Sequence, residues 1–336
     1  MYVPNSKWTW MFVIVAVIQS AVILGLESYV FADFHIHLEP RADLSTSSKT
    51  IPTFLSLYIF GFIYELVLVY DALRLRNTIQ IIGICICNIG LLIYGAVQID
   101  QIQDAVGVLL VNDAIDTDVW SATKPILIAI PCILGLSSSL MIFVSWKLYD
   151  EFAWTIYKHI SADLRMKRRY LTYQIYIALL KFDFFFFLGF TVQFVVIVTG
   201  RTDTEFALTL AAIPVTIIIL CFAAYFTRKE NTFGMIVIIL LYFGGLAYFL
   251  FKLVRMYQPS KYRDYLPARR SLTFFAIITI ILILMTIVNA CMCTHNFHKG
   301  LKPHIYKPRR HYDPKQTELG AKGPHGQPMP TRMMID

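Results

Sequence analysis

The sequence predicts an all-α, polytopic transmembrane helical bundle of about eight spans, with both termini in the cytosol. Of its 336 residues, 57% are hydrophobic and only 15% are charged, whereas charged residues make up about a quarter of a soluble globular protein. The apolar residues fall in uninterrupted blocks, and a helix of about 20 residues crosses a hydrocarbon core about 30 Å thick. Blocks such as 216–222 are apolar on every face, unlike the alternating strands of a membrane barrel.

The first apolar block, 8–33, exceeds the apolar region of a secretory signal peptide and is interpreted as a retained span. Residues 147–169 read as a cytosolic amphipathic helix, because apolar residues recur there every four positions from Leu148 to Leu164. The tail at 299–336 is rich in Pro, Gly, His and charge and is predicted to be disordered. The transmembrane domain therefore covers 1–298, with spans near 8–33, 51–70, 77–99, 125–146, 171–199, 206–227, 232–254 and 271–293.

Basic residues predict the orientation. With a cytosolic N-terminus, nineteen Lys and Arg residues lie on the cytosolic side and nine on the other, as the positive-inside rule requires. The loop 255–270 disagrees, because it places five basic residues on the non-cytosolic side. An arrangement of seven spans, in which one of the last two blocks does not cross, is the alternative.

The fifth span contains Lys181 and Asp183, and Lys181 is expected about ten residues deep, near the bilayer midplane. An unpaired charge there costs at least a few kcal/mol. Residues two apart point in nearly opposite directions on a helix, so the two side chains cannot easily pair. Glu65 in the second span is the expected partner of Lys181, with Asn88 of the third span at similar depth. This polar cluster is either a static ion pair or a proton or substrate site.

A basic cluster directly precedes the fifth span. It could bind anionic lipids of the cytosolic leaflet, or it could only determine topology. Near the end of the last span, Cys291 and Cys293 are candidates for palmitoylation or are inert thiols. The basic cluster comprises Arg165, Lys167, Arg168 and Arg169.

The stretch 167–193, KRRYLTYQIYIALLKFDFFFFLGFTVQ, and the shorter segments Tyr64-Glu65-Leu66 and 71–77, DALRLRN, resemble a fungal family of uncharacterised Golgi apparatus membrane proteins. The similarity extends over most of 8–293. The resemblance implies residence in the Golgi membrane and many spans. It implies no activity.

The sequence has no P-loop, H-E-x-x-H or G-x-S-x-G motif, and no catalytic residue, cofactor, metal site or nucleic-acid partner is predicted. Membrane lipids, including anionic ones, are the expected partners. The leading hypothesis is a non-enzymatic protein for trafficking, sorting or membrane organisation. The alternative is a secondary transporter with its polar site near Glu65, Lys181 and Asp183. A third hypothesis is a multispan lipid or glycan enzyme with an acidic cleft at Asp116.

Overall fold

The computed structural model describes residues 6–37, 46–112, 115, 118–159, 164–198, 203–258 and 268–300. Over these ranges the chain forms long helices and no strand. Eight of the helices are long and apolar enough to cross a membrane, which confirms the predicted all-α bundle of eight spans, while the cytosolic location of both termini stays a prediction. They are α1 (Lys7–Ile36), α2 (Thr46–Leu75), α3 (Thr78–Val111), α4 (Asp118–His159), α5 (Leu164–Gln193, continued by a π-helical turn at Phe194–Val198), α6 (Asp203–Lys229), α7 (Thr232–Met256) and α8 (Arg269–His295).

The eight helices form two rings of four. In the N-terminal ring, α1 to α4 each pack on the next helix and α4 returns to pack on α1. In the C-terminal ring, α5 to α8 repeat this order and α8 returns to α5. The rings meet where α2 and α3 pack against α5 and α8. The two rings therefore have the same order of helix contacts, which is consistent with a tandem structural repeat, although no repeat is evident in the sequence.

One end of the bundle gathers the starts of the odd-numbered helices and the ends of the even-numbered ones. Ser6 Oγ donates to Glu151 at 2.5 Å, the Asn77 amide donates to the Gln174 carbonyl at 3.5 Å, and the His298 N–H donates to Glu230 at 3.0 Å. This end, called the basic end below, carries most of the described Lys and Arg residues: Lys7, Arg74, Arg76, Lys147, Arg165, Lys167, Arg168, Arg169, Arg228, Lys229 and Lys299.

Two turns at the basic end share one design. Arg76 (φ 48°) and Glu230 (φ 55°) each end a helix in the left-handed conformation. The following N–H, of Asn77 or Asn231, bonds five residues back to a carbonyl at 2.9 or 3.0 Å, which completes a Schellman motif. Each Asn then caps the next helix with its side-chain oxygen. The chain therefore reverses within two residues.

Residues 147–169 do not form one separate helix, so this prediction is wrong. The chain continues α4 as far as His159, and α5 begins at Leu164. The cause is local: no Gly or Pro lies between 132 and 163 except Gly135, so nothing ends the α4 helix at the membrane boundary. The two blocks that flank the loop 255–270 are both long apolar helices, which favours eight spans over seven. Asp116 and the tail 301–336 lie outside the described residues.

The contact between the rings is a closed aromatic layer. Tyr64 of α2 stacks on Phe185 of α5 at 5.5 Å, and Tyr94 of α3 meets Phe275 of α8 edge-on at 5.3 Å. Gly83 of α3 lies directly against the Phe182 ring, where an added Cβ would come within 2.3 Å. Such tight packing fixes the two rings relative to one another.

Candidate functional site

The predicted polar cluster separates into three sites. Lys181 forms an ion pair with Asp71 of α2 and donates to Gln80 Oε1 of α3 at 2.9 Å. The Gln80 amide in turn donates to Asp71 at 3.1 Å. Lys181 therefore does not pair with Glu65, and the expected Glu65–Lys181 pair is wrong.

The Lys181 site also lies at a different depth from the one expected. Asp71 is four residues from the end of α2 and Gln80 is two residues into α3, so the ammonium lies close to the basic end. The Lys181 side chain is 24% exposed and that of Asp71 34% exposed. A long aliphatic stem lets a lysine place its charge well away from its own Cα, and here the stem reaches towards the α2–α3 turn.

The second site, within the N-terminal ring, contains Glu65 and Asn88 together with Gln19 of α1. Gln19 and Asn88 exchange a pair of amide hydrogen bonds at 3.0 and 3.1 Å. The Gln19 amide also donates to Glu65 Oε2 at 3.4 Å. Glu65 is only 4% exposed, and its Oε1 has no hydrogen-bond partner among the described residues. Each of these residues is about 15 to 18 Å from the basic end of its helix. In a hydrocarbon core about 30 Å thick, this depth is near the middle.

Glu27 lies eight residues beyond Gln19, about 12 Å further along α1, and is likewise buried in the N-terminal ring. It is 1% exposed and lies beside the Gln98 side chain of α3. Its Oε2 has no hydrogen-bond partner within the described ranges. Tyr58 of α2 is close enough to interact electrostatically with both Glu27 and Glu65, and its hydroxyl donates to the Leu91 carbonyl at 3.1 Å. The buried polar residues Gln19, Glu65, Glu27 and Gln98 are called the polar path below.

Sequence analysis missed Gln19, Glu27 and Gln98 as members of this path. A signal was present: Gln19 and Glu27 are eight residues apart, and Asn88 and Gln98 are ten apart. At 3.6 residues per turn, both spacings leave the two side chains about 80° apart, within one broad side of the helix. Polar residues that recur on one side of an apolar span indicate that this side faces the interior of the bundle.

The third site holds Asp183 in the C-terminal ring. Thr286 of α8 donates to Asp183 Oδ2 at 2.6 Å. Asp183 is 5% exposed, and its Oδ1 has no hydrogen-bond partner in the described part of the chain. Nearby, the hydroxyls of Tyr176 and Tyr242 meet at 3.3 Å.

Glu27, Glu65 and Asp183 share one property. In the described ranges none of the three forms an ion pair, and each has one carboxyl oxygen without a hydrogen-bond partner. Lys181, the cation expected to neutralise one of them, is engaged by Asp71. The described residues also include no group of three His, Cys, Asp or Glu side chains arranged to hold a metal ion.

The basic cluster lies in the first two turns of α5. Arg165 and Arg168 are exposed, Lys167 and Arg169 are partly exposed, and Arg169 donates to the Lys299 carbonyl at 2.7 Å. This arrangement leaves the cluster at the surface of the basic end.

The two cysteines predicted as palmitoylation sites differ in accessibility. Cys291 is exposed, whereas Cys293 is buried and its thiol contacts the Thr172 carbonyl. Only Cys291 presents its thiol to a modifying enzyme, so the candidate at Cys293 does not fit the structure.

Comparison with known proteins identifies a relative that matches nearly end to end. A UPF0658 Golgi apparatus membrane protein of Schizosaccharomyces pombe is 35% identical over 317 residues, which cover 88% of this chain and 89% of the relative. No family model matches the chain, and no solved structure matches it. The chain therefore belongs to the UPF0658 family of fungal multi-pass Golgi apparatus membrane proteins.

Proposed function

We propose that this protein is a proton-coupled carrier of the Golgi membrane, with Glu65 and Glu27 of the N-terminal ring as its proton-binding residues. The observation that carries the proposal is the pair of buried carboxyls without a cation. The sequence left two interpretations of Glu65 open, a static ion pair or a proton or substrate site. The static pair required Lys181, and Lys181 is bound to Asp71 instead.

The chemistry of the two glutamates follows from their surroundings. An isolated carboxylate in an apolar interior costs many kcal/mol, so the group takes up a proton instead of remaining charged. Glu65 has a single long hydrogen bond, from Gln19 at 3.4 Å, which is too weak to stabilise a full charge. A neutral carboxyl that can exchange its proton is the device by which many membrane carriers couple to a proton gradient.

Buried polar side chains lie near both acids. The Gln19 amide bonds to Glu65 and to Asn88, Tyr58 is within electrostatic reach of both Glu65 and Glu27, and Asp33 and His37 continue α1 towards the opposite end. A proton released from Glu65 would therefore meet polar groups at intervals along α1. The basic end, where this path stops, is taken to be cytosolic.

The first test asks whether the two glutamates hold protons within the membrane. Hydrophobic carbodiimides modify protonated carboxyls in apolar surroundings. With the full chain in lipid nanodiscs, we expect mass spectrometry to find adducts on Glu65 and Glu27, increasing as the pH falls. Asp100, which is exposed and pairs with Arg270, is the matched control and should stay unmodified. Absence of adducts on both glutamates would contradict the proposal.

The second test concerns coupling. Glu65→Gln keeps the shape of the protonated acid and should leave folding and abundance unchanged, but it cannot release a proton. We expect Golgi-enriched vesicles from cells with Glu65→Gln to have the same altered solute content as vesicles from cells without the protein. A protonophore should produce the same change in wild-type vesicles. Full restoration of solute content by Glu65→Gln would exclude proton coupling through this residue.

A second candidate function, membrane organisation, is favoured by the surface of the basic end. The basic cluster is exposed on α5, and each of its charges could contribute about 1 kcal/mol of attraction to an anionic leaflet. Replacement of Arg165, Lys167, Arg168 and Arg169 by Gln should then weaken the co-purification of anionic phospholipid with the full chain. If the content of anionic phospholipid is unchanged, the basic cluster only determines the topology of the chain and does not bind these lipids.

A further inference from the structure

We infer that a crevice between α6 and α7 binds the hydroxyl end of an uncharged membrane lipid, with Asp183 as the hydrogen-bonding residue. The crevice has a volume of about 70 Å³ and lies within the C-terminal ring. It is separate from the Glu65 and Glu27 path of the N-terminal ring, and the inference does not depend on proton coupling there.

The crevice opens on the outer surface of the bundle. Leu241, one of its lining residues, is 44% exposed, and a Cβ added at Gly245 would meet no atom within 4 Å. Lipid surrounds this surface in a membrane, because α6 and α7 lie on the side of the C-terminal ring away from the N-terminal ring. A ligand can therefore enter sideways from the bilayer.

The residues that line the crevice are mostly apolar, with one acid among them. Ile219, Phe249 and Ile283 are examples of the apolar lining, and Asp183 is the acid. Thr286 occupies Asp183 Oδ2, whereas Oδ1 has no hydrogen-bond partner in the described ranges. Such a buried, half-satisfied carboxyl is costly unless something else bonds to it. A ligand with one hydrogen-bond donor on an apolar body would satisfy it.

The charge of the lining narrows the class of ligand. The described residues that line the crevice include Asp183 and no Lys, Arg or His, so a phosphate group there would lose its water without gaining a cation. The crevice, of about 70 Å³, has room for a hydroxyl group and the carbon atoms next to it. Lipids whose polar part is a hydroxyl, such as sterols and diacylglycerols, meet both conditions.

Two neighbouring glycines on α7 provide a matched pair of variants. Gly244 and Gly245 both have open space around an added Cβ, but only Gly245 lines the crevice. Gly245→Leu should fill the crevice, and Gly244→Leu should add the same side chain outside it. Asp183→Leu replaces the hydrogen-bonding group with a larger apolar side chain, so it removes the bond and narrows the crevice, and the Thr286 hydroxyl can then bond within its own helix.

The test uses photoactivatable sterol, diacylglycerol and phosphatidylcholine, each with the full chain in nanodiscs, and locates the adducts by mass spectrometry. We expect the sterol, the diacylglycerol or both to label residues of the crevice, and their relative yields identify the source of the hydroxyl. Asp183→Leu and Gly245→Leu should each lower this labelling about five- to tenfold, as loss of one hydrogen bond or of the space predicts. Gly244→Leu should label as wild type does.

Three results would overturn the inference. One is equal labelling of the same residues by phosphatidylcholine, which would mean that the crevice does not select a hydroxyl. Another is wild-type labelling of Gly245→Leu. The third is adducts confined to other parts of the bundle. If Asp183→Leu fails to fold, the Gly245→Leu and Gly244→Leu pair still decides the question.

Discussion

The two rings have the same helix order and the same kind of turn, but opposite interiors. The N-terminal ring encloses Gln19, Glu65 and Asn88 in a network of amide hydrogen bonds. The C-terminal ring is filled largely by aromatic side chains, such as Phe190 against Phe249 at 5.1 Å, and encloses Asp183 among them. The same order of helices is thus compatible with two different sets of interior side chains. Short connections between consecutive helices are enough to determine that order.

The aromatic layer and the ion pairs Lys181–Asp71 and Arg270–Asp100 join the rings. Lys181 belongs to the C-terminal ring and Asp71 to the N-terminal ring, so this pair crosses the boundary between them. Three predictions test these comparisons. Two concern contacts between the rings, and the third compares the matching turns of the two rings.

The largest effect is expected at Lys181. Lys181→Ala leaves Asp71 without its cation and should lower the free energy of unfolding by about 2 kcal/mol, less than for a fully buried pair because Asp71 is partly exposed. The double variant Lys181→Ala with Asp71→Ala should recover most of that loss. Denaturant unfolding in detergent micelles measures the coupling as a double-mutant cycle.

Glu65→Gln is the control for this cycle. Combined with Lys181→Ala, it should give no recovery, because Glu65 bonds to Gln19 in another part of the N-terminal ring. Recovery with Glu65→Gln and none with Asp71→Ala would show that the sequence-based pairing is the correct one.

The next effect concerns the aromatic layer. An added methyl at Gly83 would lie 2.3 Å from the buried Phe182 ring, whereas at Gly90, on the same helix, the nearest atom is 3.9 Å away. Gly83→Ala should therefore destabilise the protein by about 1 to 3 kcal/mol. Gly90→Ala should be neutral or slightly stabilising, since Ala favours helix over Gly. Equal thermal stability of the two variants would mean that the rings are not tightly packed at this point.

The smallest effect compares the two turns. Glycine removes the strain of a left-handed residue, so Arg76→Gly should raise the free energy of unfolding by up to about 1 kcal/mol. Glu230→Gly gains the same relief but loses the hydrogen bond from the His298 N–H, and should leave stability nearly unchanged. Thermal unfolding of both variants checks the difference. If Glu230→Gly raises the free energy of unfolding as much as Arg76→Gly does, the hydrogen bond from the His298 N–H does not contribute to stability.

The spans were predictable because hydropathy alone determines which segments can leave water, and α1 to α8 include every predicted block. Membrane residence in the Golgi was predictable from the motif around Lys181. The partner of Lys181 was not predictable, because it depends on helix rotation and side-chain reach. The expected depth of Lys181 assumed that the fifth span begins at Leu171. In the structure α5 begins at Leu164, and Gln174 lies level with the α2–α3 turn, so Lys181 is closer to the basic end than expected. The helical continuation beyond the fourth span was missed because amphipathic spacing does not distinguish a new helix from a prolonged one.

The tandem rings also bear on how such a chain could originate. Each ring has four helices, an even number, so a chain that crosses the membrane once per helix returns to its starting side after one ring. A gene segment that encodes one ring could be duplicated in line, and the copy would insert in the same orientation without any reversal of its flanking charges. An Asn-Thr pair occurs at 77–78 and again at 231–232, in turns of the same geometry. The first follows the second helix of its ring and so does the second, as such a duplication would leave them. After it, the two interiors would be free to diverge, one towards hydrogen-bonded acids and the other towards packed aromatic rings.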